Sequence, residues 1–411
     1  MKEFRRSNEW LKRAKAVIPV ASQTFSKNFW YWPVPVSPVY LQSGSGAHVR
    51  DVDNNWFLDF VMGLGVVTLG YCYPAVDDAI REQLQLSISF SLPHPLEVEL
   101  SELLTEIIPC AEMVRFGKTG SCVTEAAVRL ARAYTGKKYI VYRGYHGTHD
   151  FYACITDRSL GTLPELAGYM LPFEYNNLNS VLAQFDLHPD DVAAVIMEPI
   201  IVKEPIPGFL EDIRDICHQN GALLIFDEMV TGFRWSLGGA QEFFAVTPDL
   251  STFGKGIANG MPLAALAGRR EVMQRMEDIM ISTTFGGETL SLAAAKVTVE
   301  TMRDKKTIQH CWNMGGLLIK GLSDIGYKVG GYACRPAILD EYNLEQKSIL
   351  IQELIKRGVL LHSGLLINIC YRHTEQDIEF ALNAFGDVYK GMKQGKFKAE
   401  GMIQKPAFRR V

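Results

Sequence analysis

One apolar run, Ala222-Leu-Leu-Ile-Phe-Asp227-Glu228, drives straight into two acids. Its length and composition are those of a buried strand, so the acids emerge at the strand's carboxyl end, the edge where open parallel sheets bind ligands. A carboxylate there can keep an aromatic ring nitrogen protonated, so that the ring accepts electrons. Capping of a following helix is the bland alternative. A second segment, Ser251-Thr-Phe-Gly254-Lys255-Gly256, sets a lysine between two glycines after a short β-like run. Such a lysine sits on a tight turn with an open approach to its amine. Schiff-base chemistry needs an amine that can become neutral, and burial near a cationic system lowers its pKa. Taken alone, a Gly-flanked lysine is usually a solvated turn residue.

Three further features fall at strand ends or helix starts. Lys118-Thr119-Gly120-Ser121 precedes a helix expected over Val123 to Tyr134, where free N–H groups and the helix dipole suit a phosphate. Gly144-Tyr145-His146-Gly147 follows a strand, and its aromatic can stack on a flat ring. Met197-Glu198-Pro199 supplies a third acid at the same edge. Each has an ordinary structural explanation: a cap, a packed loop, a solvated acid. Together they provide an amine, a carboxylate, a phosphate seat and a stacking ring, which are the needs of one cofactor, pyridoxal 5'-phosphate (PLP).

The elements that would position these residues alternate. Helices are expected over Asn8 to Val17, Pro95 to Ile108 and Leu210 to Gln219, with a closing helix over Glu375 to Tyr389. Strands are expected over Ala47 to Asp53 and Trp56 to Phe60, then Glu112 to Phe116, Lys138 to Tyr142, Val192 to Met197, Ala222 to Phe226 and Leu263 to Ala267. The aromatic, proline-rich stretch Phe29 to Pro35 cannot be a regular helix. Apolar strands with helices between them predict an α/β fold with a largely parallel sheet covered on both faces. From about Thr307 the pattern changes to that of a smaller α/β domain. The expected division is an N-terminal arm with small-domain strands (1–60), a large PLP-binding domain (61–305), a C-terminal small domain (306–395) and a tail (396–411).

The chain has 411 residues, 47% hydrophobic and 21% charged, enough for a large domain and a smaller companion. Its net charge of -4 gives no electrostatic reason for a nucleic-acid partner. The basic tail from Lys390 to Arg410 reads as a solvated end. No apolar run reaches the roughly 18 residues of a membrane span. The first residues read as a charged helix rather than a signal peptide. Eight dispersed cysteines form no CxxC pair, which fits reduced thiols in a cytoplasmic protein. A metal hydrolase at His146 and His149 lacks a third ligand nearby. His362 and His373 read as packed or capping residues.

The chain resembles the class III aminotransferases of PLP fold type I, nearest the glutamate-1-semialdehyde aminomutase branch, over about Trp10 to Phe385. Phe226-Asp227-Glu228-Met229-Val230-Thr231-Gly232-Phe233-Arg234 and Phe253-Gly254-Lys255-Gly256-Ile257-Ala258-Asn259-Gly260 carry the resemblance. Arg129 to Gly136 and Thr283-Thr284-Phe285-Gly286-Gly287 match further family blocks. The resemblance implies that Lys255 holds PLP and shuttles the proton, and that Asp227 pairs with the pyridine nitrogen. Gly120 and Ser121 would hold the phosphate, Tyr145 and Met229 would cover the two ring faces, and Glu198 would lie near the phenolic oxygen. Thr284 would reach the phosphate of a neighbouring subunit, implying a homodimer with shared active sites. Three departures stand out: Cys122 where an acid is usual, Glu288-Thr289 where Asn-Pro is usual, and no counterpart of the aminomutase Gly-Gly-Val-Asn-Ser-Pro-Val-Arg segment.

The expected activity is amino transfer from a small-molecule donor such as glutamate to a keto or aldehyde acceptor, extending to a sugar-like one. Trp30 and Trp32 would shape the acceptor pocket and Lys27 would contact an anion, against packing of the arm as the alternative role. An intramolecular aminomutase differs in turning over one substrate without a keto co-product. A non-catalytic PLP-binding regulator would have no need of the lysine's proton chemistry.

Overall fold

The computed structural model describes residues 2–405. The chain divides into two compact units, Met1–Tyr73 with Thr307–Val411, and Pro74–Lys306. The first unit opens with a helix, Arg5–Val17, that begins one turn earlier than the sequence pattern suggests. Its strands β1 (Leu41–Ser45), β2 (His48–Asp51) and β3 (Trp56–Asp59) form an antiparallel meander. The stretch Phe29–Tyr31 forms only a short 3₁₀ turn, as the neighbouring prolines require.

The second unit holds a seven-stranded sheet. Its strands are β4 (Met113–Gly117), β5 (Tyr139–Arg143), β6 (Met170–Pro172), β7 (Val192–Met197), β8 (Leu223–Asp227), β9 (Leu250–Phe253) and β10 (Ala264–Gly268). The spatial order is β4-β10-β9-β8-β7-β5-β6. Every residue of β7 and β8 is buried. Alternate residues feed opposite faces: Ile196 and Ile225 join one core cluster, Val195 and Phe226 the other. Burial on both faces is why these strands read as continuous apolar runs rather than alternating ones. β10 runs antiparallel to both neighbours, so the sheet is mostly but not wholly parallel. Nothing in the run Ala264-Ala-Leu-Ala-Gly268 announces that direction.

The chain then returns to the first unit through β11 (Val329–Tyr332), β12 (Arg335–Ile338) and β13 (Val359–Leu360), the last pairing in parallel with β3. Helices Thr307–Ile325, Leu344–Lys356 and Glu375–Lys393 bury Leu318, Leu354 and Phe385 in one core with Phe57 and Val359. The basic side chains of the tail are exposed over its described part, as expected of a solvated end, but the segment is docked rather than free. Lys390 and Lys393 belong to the last helix, and residues 398–405 are docked by backbone bonds. The Gln352 side chain accepts from the Glu400 N–H at 2.8 Å and donates to the Lys398 carbonyl at 3.0 Å. The Met402 and Lys405 N–H groups donate to the carbonyls of Val34 and Trp30 at 2.7 and 2.9 Å. Apart from the Lys356–Glu400 ion pair, charge spacing could not reveal this, because most of these bonds are made by the tail's backbone groups. Residues 406–411 lie outside the described residues.

His362 and His373 are both packed in this unit. The His362 Nε2 bonds the Ser26 carbonyl at 3.0 Å. The ring of His373 stacks on Phe60 at 5.0 Å, and its Nδ1 accepts from the Cys370 N–H.

Candidate active site

β5, β7, β8 and β9 are parallel neighbours, in register with Arg143 beside Met197, Met197 beside Phe226, and Asp227 beside Thr252. Their carboxyl ends therefore share one edge. Tyr145, Glu198, Asp227 and Lys255 lie at or just past those four ends. Because β10 is antiparallel to both β4 and β9, β4 ends at the same edge too, and delivers the helix Gly120–Thr135 there. The helix begins at Gly120 rather than Val123, so Gly120 and Ser121 sit in its first turn, among the N–H groups that lack a partner within a helix. Thr119 supplies the cap, its side chain accepting from the Cys122 N–H. The Cys122 thiol turns back to the Thr119 hydroxyl at 3.0 Å.

Asp227 is 2% exposed and accepts from three groups among the described residues. Oδ2 faces the His146 Nδ1 at 2.8 Å, while Oδ1 accepts from the Met229 N–H at 3.1 Å and the Thr252 hydroxyl at 3.2 Å. Burial alone would push its pKa up. The His146 hydrogen bond and charge, the Lys255 charge and the Met229 N–H together outweigh it, and hold the carboxyl below the usual aspartate value. A carboxylate has about four acceptor positions. Three are filled, which leaves one on Oδ2 for a ring N–H. The site therefore fits PLP on the chemistry of its own donors and acceptors.

His146 is the functional residue that the sequence pattern did not single out for this role. It is 1% exposed, and its Nε2 faces the Arg143 carbonyl at 3.2 Å. Both ring nitrogens thus meet oxygen acceptors. The available signal was a histidine three residues beyond β5, which lies across β7 from the acid's own strand. Its loop is strapped to the start of the helix Gly120–Thr135. The Thr124 hydroxyl donates to the His146 carbonyl at 2.6 Å, and the Thr148 N–H donates to the Ser121 Oγ at 3.0 Å. Gly147, at φ +114°, passes so close that a Cβ would lie 2.6 Å from that Oγ, so only glycine serves.

Glu198 is buried, and its Oε1 accepts from the Tyr145 N–H at 3.0 Å, fixing the loop that carries Tyr145. Lys255 is half-buried and opens a 3₁₀ turn, with φ at +43°. The Met229 sulfur lies where a Cβ on Gly120 or Gly254 would stand, at 2.9 and 2.6 Å. It therefore joins the Gly120 turn to the Lys255 turn. Glu228, the second acid of the motif, is fully buried and accepts from Thr231, Ala240 and Gln241, so it staples the loop after β8.

The remaining expected residues are Thr284 in the second unit and Lys27, Trp30 and Trp32 in the first. Thr284 is exposed in a turn closed by the Gly286 N–H donating to the Thr283 carbonyl at 3.0 Å. Lys27, Trp30 and Trp32 belong to the first unit. Lys27 is exposed, the Trp32 ring meets the edge of His362 at 5.9 Å, and Lys405 lies 4.3 Å over the Trp30 ring. His149 pairs with Glu125. Among the described residues no cluster of three or more His, Cys, Asp or Glu side chains could hold a metal, and no helix is long and apolar enough to cross a membrane.

A lysine and a buried, ionised acid on adjacent parallel strand ends, beside a helix start, define the class: a transferase built to hold pyridoxal phosphate. The class III aminotransferase family model matches residues 31–331, and the chain belongs to that family. It is 36% identical to the 3-aminobutyryl-CoA aminotransferase of Cloacimonas acidaminovorans, over 95% of this chain and 98% of that one. It is also 36% identical to glutamate-1-semialdehyde 2,1-aminomutase 2 of Brevibacillus brevis, over 87% and 92%. Among solved structures, an omega-transaminase from Sphaerobacter thermophilus superposes with a TM-score of 0.87 at 25% identity, covering 94% of this chain and 98% of that chain. The reaction class is amino-group transfer and the cofactor is PLP.

Proposed function

We propose that the strand-end residues divide the work of transamination as follows. PLP, when bound, supplies the electron sink that stabilises a carbanion next to nitrogen. Lys255 holds it and carries the proton between carbon atoms. Asp227 keeps the ring nitrogen protonated, and His146 keeps Asp227 ionised and aimed. Gly120 and Ser121 hold the phosphate, and Tyr145 and Met229 pack on the ring. Glu198 orders the Tyr145 loop and lies near the substrate side. The observation that carries this reading is Asp227 itself, a buried carboxylate with one acceptor position unfilled that feels the Lys255 charge.

The amino donor is an amino acid such as glutamate, and the acceptor is a keto or aldehyde compound. Two relatives favour an acceptor whose carbonyl is not α to a carboxylate: one acts on a 3-aminobutyryl thioester and one is an omega-transaminase. A sugar-like acceptor stays in the panel to be tested, with Trp30 and Trp32 shaping its pocket and Lys27 contacting an anionic group. The working unit is a homodimer in which Thr284 reaches the partner's phosphate. Its support is an exposed apolar series, Leu86, Ile88, Phe90 and Leu92, tied to the start of the helix Thr289–Asp304 by the Thr289 N–H donating to the Ile88 carbonyl at 3.0 Å. Eight free cysteines, six of them buried, suit a cytoplasmic home.

The test is the donor half-reaction. Mixed with glutamate alone, PLP-loaded enzyme should lose its visible absorbance and release one equivalent of keto acid. An aminomutase would instead turn over its single substrate with no keto acid. Failure of every amino donor to bleach the cofactor would overturn the transaminase assignment of these residues.

A further inference from the structure

Two residues outside the expected site meet in an ion pair that no part of the reaction above uses. Lys118 leaves the end of β4, two residues before the phosphate seat at Gly120. Its Nζ lies 2.8 Å from the Glu288 Oε2, and the two side chains are 20% and 12% exposed. Glu288 is also the cap of the helix Thr289–Asp304, accepting from the Leu290 N–H at 2.8 Å, the Ser291 N–H at 3.3 Å and the Ser291 hydroxyl at 2.6 Å. Immediately before it runs the turn that carries Thr284. That turn lies along β4: the Arg115 side chain donates to the Ile281 carbonyl at 3.2 Å, and a Cβ on Gly286 would stand 3.1 Å from the Phe116 carbonyl. The pair therefore links two segments that are far apart in sequence, the phosphate-seat turn and the Thr284 turn.

We infer that Lys118 and Glu288 form a positioning clasp that fixes the chain's own phosphate seat to the segment offered to the partner's phosphate. The link to the partner rests on the homodimer reading, whereas the link to the chain's own seat does not. Most surface ion pairs contribute little. This one is largely shielded, and its acid also fixes three donors of a helix start, so removing either member leaves a charged group without its partner.

PLP titration of the apo-protein tests it, with K118M, E288Q and the double variant. Each single change should weaken PLP by about tenfold, the scale of one coupled contact pair, and turnover at saturating PLP should fall by less than the affinity does. The double variant should be no weaker than the worse single one, because both remove the same contact, and K118R should stay near wild type. Singles within twofold of wild type, or a double variant that loses the product of the two, would overturn the clasp. If E288Q misfolds for loss of its cap, K118M against K118R still decides the matter. T284A separates the two readings: unchanged PLP affinity there would sink the shared-phosphate homodimer, while the Lys118–Glu288 coupling would stand or fall on its own titration.

Discussion

The strand-end edge of one unit and the aromatic segment Phe29 to Pro35 of the other are built on opposite principles. At the edge, each group is fixed by directional bonds. Asp227 takes three donors, His146 meets two acceptors and Glu198 is held to a backbone N–H. In the aromatic segment the partners are rings and backbone: Tyr31 and Trp32 against His362, Lys405 over Trp30, and tail N–H groups on the Trp30 and Val34 carbonyls. A buried charge is tolerated only with its full set of partners, so few residue combinations can build the edge. Ring contacts are less exacting, and many residues satisfy them. In the proposed reading the cofactor chemistry rests on the directionally bonded edge, and acceptor preference rests on the ring-packed segment.

Breaking the rigid side should have the largest effect. Asp227→Ala removes the carboxylate at the centre of the network, and kcat should fall on the order of 10²–10³-fold, as for loss of one oriented electrostatic group in a buried site. Near-wild-type turnover would show that the ring nitrogen is served by another residue. His146→Leu acts only through Asp227, and activity should fall about 10- to 100-fold, the range for residues that orient a primary group. A loss equal to that of Asp227→Ala would mean that the imidazole does more than orient.

The two units also differ in how they answer acid. Asp227 has its pKa held below the ordinary aspartate value of 3.8, so its contribution is fully present above that value and is lost only as pH falls further. His373 lies in the other unit. Burial, the largest influence, together with the nearby His48 and His310, pushes its pKa from 6.5 down to about 4, against the pull of the Asp377 charge. The unfolded chain therefore binds a proton that the folded chain refuses. His373 should cost stability progressively as pH falls from 6.5 to about 4, by roughly 3 kcal/mol in all. Denaturant melts across that window should show the fall, and His373→Gln should flatten it. An unchanged slope would remove His373 from the account. The smallest effect belongs to the aromatic segment. Trp30→Ala should raise the acceptor KM a few-fold, on the scale of one aromatic contact, with the donor half-reaction unaltered. A change in the donor half-reaction instead would place Trp30 outside the acceptor pocket.

Much of the edge was legible in the sequence because its strands are buried on both faces and read as unbroken apolar runs. Val192 to Met197 matches β7 residue for residue, and the Ala222 run places Asp227 at a strand end. What escaped depended on contacts between distant segments. The role of His146 needs β5 and β8 placed on either side of β7. The start of the helix at Gly120 needs Thr119 recognised as the cap. The docking of the tail on Gln352 and the N-terminal arm leaves no mark in a charge pattern, because the tail contributes mostly N–H and carbonyl groups that every residue possesses.

In the proposed mechanism one amine, that of Lys255, takes the cofactor. Apo-protein reconstituted with PLP, reduced with borohydride, digested and mapped by mass spectrometry tests it directly. The expected result is a stable pyridoxyl adduct on the peptide containing Lys255, with no other lysine labelled to a comparable degree. A visible chromophore whose reduced adduct maps to another lysine, or no adduct at all, would contradict it.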